Sequence, residues 1–297
     1  LSNTLRGAIY GLTAAAIWGG MYVVSDLVLP IIPPFTLLTI RLLLGIATLG
    51  LIMWRTRAQF PNRRGVLKIL TVGFLGFGIS VGAQFVGTDL SNAINGALVT
   101  SASPAFILLF AVLVLGERLK LRNVIAVVLA TIGVLVIIDL AQADFSSAKF
   151  TGNVALTVAA VTWGLYSVLV RRVSAQLDTL GITLIAFCGG LLLTIPAAVL
   201  ELPQRPIGDI NAAVMLGIVY LGIVSTAGAM WLWNRAFALV DASVASLFFF
   251  AQPLVGALLG AVIGQEITVS LLIGGGLIAM GLLVSLYNPN RLKEKLA

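Results

Sequence analysis

One pattern is written twice in this chain, and that repetition constrains the fold more than any other feature. The stretch TAAAIWGGMYVVSD around residue 18 returns 145 positions later as VAAVTWGLYSVLVR. The stretch SASPAFILLF…LGER returns 149 positions later as FAQPLVGALL…GQEI. Trp18-Gly19 thus recurs as Trp163-Gly164, Pro104 as Pro253 and Glu117 as Glu266. Both copies are strongly apolar. A duplicated, membrane-spanning chain is the signature of a secondary transporter, because alternating access needs two similar halves that rock against each other.

Composition sets the solvent. Hydrophobic residues make up 60% of the 297 positions and charged residues only 10%, against about a quarter charged in soluble domains. Lipid must therefore cover much of the surface. The net charge of +7 is spread over short loops and forms no basic stripe, which excludes a nucleic-acid partner. The single cysteine, Cys188, and the absence of histidine exclude an internal disulfide and argue against a metal site or a cofactor. An intramembrane enzyme would need a His, a paired Asp or a Cys–His set, and none is written here. The first apolar stretch lacks a small-residue cleavage site and reads as a retained span.

A span needs about 20 apolar residues. Reading between polar breaks predicts ten spans, near 8–28, 34–54, 66–88, 93–115, 121–138, 150–170, 179–200, 209–234, 242–264 and 268–287. PIIPP at 30–34 and LPQRP at 202–206 are two of the breaks. Placing both termini in the cytoplasm puts 15 of the 18 basic residues on that side, as the positive-inside bias requires. Only Lys149 and Arg205 fall outside, and Arg41 falls within the second span. Five spans per half is an odd number, so the second half enters from the opposite side. Charge agrees: Glu117 is followed by Arg118, Lys120 and Arg122, whereas Glu266 is followed by Ile-Thr-Val. The expected architecture is an all-α integral membrane protein. Ten helices form two inverted five-helix repeats, 1–140 and 141–297, around one central cavity.

A Trp-Gly pair in the first span of each half, a proline in the fourth and a Glu at the start of the fifth resemble the EamA domain. Two such domains in series are similar to the ten-helix exporters of the drug/metabolite transporter superfamily. The likeness covers about 8–287, and overall the chain looks most like the YddG-type exporters of aromatic and other amino acids. The resemblance implies export of a small amino-acid-like solute across a bacterial cytoplasmic membrane. Two readings compete with it: a proton-coupled exporter of another drug or metabolite class, and a channel-like facilitator.

Inverted repeats place the solute mid-membrane between the halves. Trp18 and Tyr22 share one face of span 1, and Trp163 and Tyr166 one face of span 6. Each Trp lies about ten residues, or roughly 15 Å, into its span, too deep for an interfacial belt. They are candidate cavity walls, with core packing as the competing reading. Gln84, Asn95 and Gln252 are candidate polar contacts, as against bonding a neighbouring helix. Ser101, Ser103 and Ser246 lie at similar depth. Pro104 and Pro253 are read as paired kinks that act as gating hinges, or as purely structural bends. Glu117 and Glu266 are expected to cap the spans that follow them. Arg41 is expected to snorkel outward or to pair with Asp26 or Asp89, with a substrate carboxylate as the alternative. No Asp, Glu or His lies near mid-membrane. The chain therefore offers no obvious proton carrier and is expected to transport zwitterionic or neutral solutes without ion coupling.

Overall fold

The structure, a computed structural model, describes residues 2–57, 63–91, 96, 99–137, 145–174, 178–262 and 269–286. The described residues are almost wholly helical. Six helices are long and apolar enough to cross a membrane: α1 (Asn3–Ser25, helical to Val28), α2 (Pro34–Thr56), α3 (Arg63–Leu90), α6 (Phe150–Ser174), α7 (Thr179–Glu201) and α8 (Ala212–Leu239). Four elements hold shorter apolar helices: α4 (Ser103–Leu115), α5 (Leu121–Ile137), α9 and α10 (Val269–Leu286). α9 passes through three pieces, Ala242–Ala245, a 3-10 turn at Ser246–Phe250, and Ala251–Val262.

Local chemistry starts and stops these helices. Pro34 opens α2, where its missing N–H costs nothing. Asn211 caps α8 by accepting the Val214 N–H at 3.0 Å. Gly116, at φ 66°, ends α4 in the left-handed conformation that glycine tolerates. Large apolar side chains such as Leu51, Trp54, Leu113, Leu192, Leu200 and Leu283 face outward. On a multi-pass protein that is the lipid surface.

With lipid outside, apolar burial cannot drive one helix onto another, so contacts rest on close packing and polar links. α5 packs on α10 and α2 on α7; α1 packs on α8 and α9, α3 on α6 and α7, α4 on α6, and α2 on α8. Glycines let backbones meet: Gly73 of α3 sits against the Ala186 backbone of α7, and Gly189 of α7 against Leu70 of α3. Tyr166 donates to Asn234 at 3.2 Å, and Asn234 donates to Thr183 at 3.0 Å, joining α6, α8 and α7.

Two helices depart from α geometry where nothing in their composition announced it. α3 widens to a π-helix at Phe74–Ser80 and α8 at Tyr220–Gly228. Wider turns displace carbonyls from their regular partners and are frequent at functional sites.

The prolines are not kinks inside continuous helices. Pro104 is the second residue of α4, after a turn at 101–102, and Pro253 is the third residue of the last piece of α9, after its 3-10 turn. Each stands in the first turn of a segment, where a ring in place of the N–H is tolerated.

Candidate functional site

α1, α2, α3, α4, α6, α8 and α9 converge on one cavity. Trp18 and Trp163 meet in its wall, edge to face, with ring centroids 5.7 Å apart. They are buried to 2% and 7% exposure. Their indoles are held differently. The Trp18 Nε1–H donates to the Ser225 carbonyl at 3.0 Å, a carbonyl inside the π-helical stretch of α8. The Trp163 Nε1 has no hydrogen-bond partner among the described residues, although it is buried. A buried indole N–H usually finds an acceptor, so Trp163 brings an unspent donor to the cavity wall.

Gln84 and Gln252 both line the cavity, one on α3 and one on α9. Thr100 and Ser103 face it from the α4 end, and Ser80 from α3. Counting back from the matched prolines explains why there is room. Positions 99–101 read Val-Thr-Ser, and the corresponding 248–250 read Phe-Phe-Phe. Phe249 lines the cavity and packs its ring 6.3 Å from Trp18 and 5.8 Å from Trp233. Phe248 fills the space over Gly11 of α1, where a Cβ would collide with its ring. At the one matched position where both segments line the cavity, Thr100 stands opposite Phe249 in the repeat.

Tyr166 is not on the cavity wall. It is fully buried behind Trp163, against Phe77 at 5.1 Å, with its hydroxyl spent on Asn234. Three positions along a helix is about 60° of rotation, and that turns the ring from the cavity into the α3–α7–α8 core. The Tyr22 and Asp26 side chains, Asn95 and Glu266 lie outside the described residues. Ser101 is buried away from the cavity lining, and Ser246 donates to the Ser243 carbonyl at 3.1 Å.

Arg41 overturns two of its expected readings. It does not snorkel, being 1% exposed, and Asp89 instead pairs with Arg205 at 2.6 Å. The Arg41 guanidinium lines the cavity. Its Nε donates to Thr226 Oγ1 at 3.0 Å, its Nη2 approaches Met21 Sδ at 3.4 Å, and it lies 5.0 Å from the Phe85 ring centroid. Nη1 has no partner among the described residues. Being the one basic residue well inside a span was the sequence signal for it.

Glu117 is a cap, but of a different helix. Three residues separate it from Leu121, where α5 begins. Its carboxylate instead accepts the Ala242 and Ser243 N–H groups of α9 at 2.9 and 3.2 Å and pairs with Arg171 at 3.3 Å. Arg171 also donates to the Phe237 and Val240 carbonyls and reaches Asp241 at 3.2 Å. Glu201 does the same for α2, accepting the Phe35 and Thr36 N–H groups at 3.3 and 2.9 Å. Among the described residues no cluster of His, Cys, Asp and Glu could hold a metal ion.

The model of the EamA-like transporter family matches residues 5–139 and again 150–287. The chain is similar to the uncharacterized transporter YyaM of Bacillus subtilis, 27% identical over 236 residues, covering 75% of this chain and 74% of that protein. It is similar to an uncharacterized transporter of Archaeoglobus fulgidus, 25% identical over 82% of this chain and 83% of the other. It is also similar to a protein of Pseudomonas aeruginosa named as a probable biotin transporter, 29% identical over 78% and 79% of the two chains. A crystal structure superposes with TM-score 0.80 at 24% identity, covering 94% of this chain and 95% of that one. That last likeness speaks for the fold alone.

Proposed function

The chain belongs to the EamA-like transporter family, and on that premise we propose that it exports small amino-acid-like solutes, aromatic ones included, by alternating access. Its two working halves are residues 1–140 and 141–297, inverted in the bacterial cytoplasmic membrane with both termini in the cytoplasm. Membership makes it a multi-pass membrane transporter and not an enzyme. The observation that carries the finer reading is the cavity walled jointly by Trp18 of α1 and Trp163 of α6. A solute there touches both halves at once, as an alternating mechanism requires. The pattern of helix packing also supports two related halves: exchanging α1–α5 with α6–α10 turns each of the helix pairs named above into another of them or into itself. Pro104 and Pro253, each beside a break in a cavity-lining element, serve as the hinges.

The described residues lining the cavity include no carboxylate, and the chain has no histidine. With no proton carrier there, the solute's own gradient drives transport. Counterflow in proteoliposomes, using labelled amino acids and biotin with and without a pH gradient, tests both statements. Saturable counterflow that is indifferent to the gradient is expected. Flux that collapses without the gradient would sink the uncoupled mechanism, and flux that never saturates would replace alternating access by a channel.

Trp163→Ala should slow counterflow roughly tenfold or more, since it removes a cavity wall and an unspent donor together. Trp163→Phe keeps the wall and loses only the N–H, so a smaller loss is expected. Wild-type rates in Trp163→Ala would return the residue to core packing.

A further inference from the structure

We propose that Arg41 is the carboxylate-binding residue of this cavity, so that the cargo carries one carboxylate on an apolar or aromatic body. The inference rests on the transport reading above and names the chemistry its site selects.

Three observations carry it. First, the guanidinium is buried in the cavity wall and meets no counter-charge among the described residues. Of the two partners the sequence offered, Asp89 is held by Arg205 and the Asp26 side chain lies outside the described residues. The partners Arg41 does have are a hydroxyl, a thioether and a ring face, all neutral. Burying a cation against neutral groups alone is costly, and inside a membrane such a residue is kept for what it binds. Second, those partners fix Nε, Nη2 and the guanidinium plane, yet leave Nη1 unmatched among the described residues. That is the arrangement of a donor held ready for an acceptor that arrives with the cargo. Third, the fold does not demand an arginine there. Arg41 is the eighth residue of α2, and the eighth residue of α7 is the fully buried Ala186. The matched place in the other half is filled by a methyl group, so the charge belongs to one half and has no role common to both.

The rest of the wall sets the remainder of the cargo. Trp18, Trp163 and Phe249 give an aromatic surface, and Gln84 and Gln252 give neutral polar contacts. One guanidinium suits a single monovalent anion, whereas a phosphate dianion would want several cations. An aromatic wall beside one guanidinium suits an aromatic ring with a short acidic arm. Amino acids and simple aryl acids share this chemistry, and an ammonium group distinguishes them.

Thermal-shift titrations of the full chain in detergent test binding apart from flux. The probes are 3-phenylpropionate, its neutral amide 3-phenylpropionamide, and L-phenylalanine. In the wild type, the acid is expected to raise Tm at a concentration roughly tenfold or more below that of the amide, the usual value of a charge-assisted hydrogen bond. Arg41→Gln should erase that preference by weakening the acid and sparing the amide, and Arg41→Lys should keep part of it. Equal action of acid and amide on the wild type overturns the proposal, as does a preference that survives in Arg41→Gln or a complete lack of response to all three probes. Should Arg41→Gln fail to fold, the wild-type comparison and Arg41→Lys still decide. L-phenylalanine acting like the acid supports an amino-acid cargo, and a weaker response supports a carboxylate without the ammonium; the Arg41 assignment holds in both. Loss of counterflow for every solute would instead overturn the transport reading itself, whereas counterflow that persists with acid equal to amide overturns only the role of Arg41.

Discussion

Gly73→Ala is expected to leave no monodisperse protein, while Gly276→Ala leaves the protein intact. The same methyl group is added in both. At Gly73 it would overlap the Ala186 backbone of α7, with the carbonyl carbon 2.5 Å away. A side chain could swing aside, but a helix backbone cannot. The cost therefore exceeds the ~1–3 kcal/mol of overpacking against yielding neighbours. α3 and α7 would have to separate, and the close approach through Gly73 and Gly189 is what holds them in lipid. At Gly276, no atom of the described residues lies within 4 Å of the added atom. There the change should stabilise by up to about 1 kcal/mol, because alanine is the better helix former. Size-exclusion profiles and Tm in detergent check both. A well-folded Gly73→Ala protein would mean the two helices do not meet as closely as described.

Glu117→Ala should cost roughly 3 kcal/mol, the second-largest effect expected of a single substitution here. The carboxylate is the acceptor for two α9 N–H groups and for Arg171 Nε, and its side chain is only 15% exposed. Removing it leaves the Ala242 and Ser243 donors uncapped and a half-buried cation short of its partner. Arg171→Ala should be costly too, because Arg171 ties the end of α6 to the Phe237 and Val240 carbonyls. Since both variants break one shared pair, the double variant should be less destabilised than the sum by about 1 kcal/mol or more. Strict additivity would mean that Glu117 and Arg171 act independently.

The parts of this molecule legible in the sequence are those with a local cause. Pro34 opens α2 where the PIIPP break put it, and the break at 202–206 lies between α7 and α8. Trp18, Trp163, Gln84 and Gln252 line the cavity, whereas their depth in the spans left core packing or a neighbouring helix open as well. What escaped the sequence is long-range. Tyr166 shares a helix face with Trp163 in outline, but α7 and α8 decide which side of that face meets the core. Arg41 reads as a residue that snorkels or pairs with Asp26 or Asp89, but it is buried, and Asp89 is claimed by Arg205, 116 positions away. Glu117 reads as a cap for the next helix, and the N–H groups it accepts belong instead to α9, 125 positions on. The π-helical stretches of α3 and α8 carry no local signal at all. One of their carbonyls, that of Ser225, accepts the Trp18 indole N–H from across the bundle.

The phenylalanine run at 248–250 implies a built-in preference between the two faces of the membrane. If the halves exchange roles during transport, each end state closes one half and opens the other. Closing over Val-Thr-Ser and closing over Phe-Phe-Phe bury different amounts of aromatic surface, so the two states differ in free energy and one dominates at rest. A blocker that fits the dominant state then acts at its intrinsic affinity. A blocker that needs the rarer state is weakened by that state's fractional population. Inhibition measured from opposite sides of the same oriented vesicle should therefore give two different potencies, and trimming Phe249 to alanine should bring them closer together.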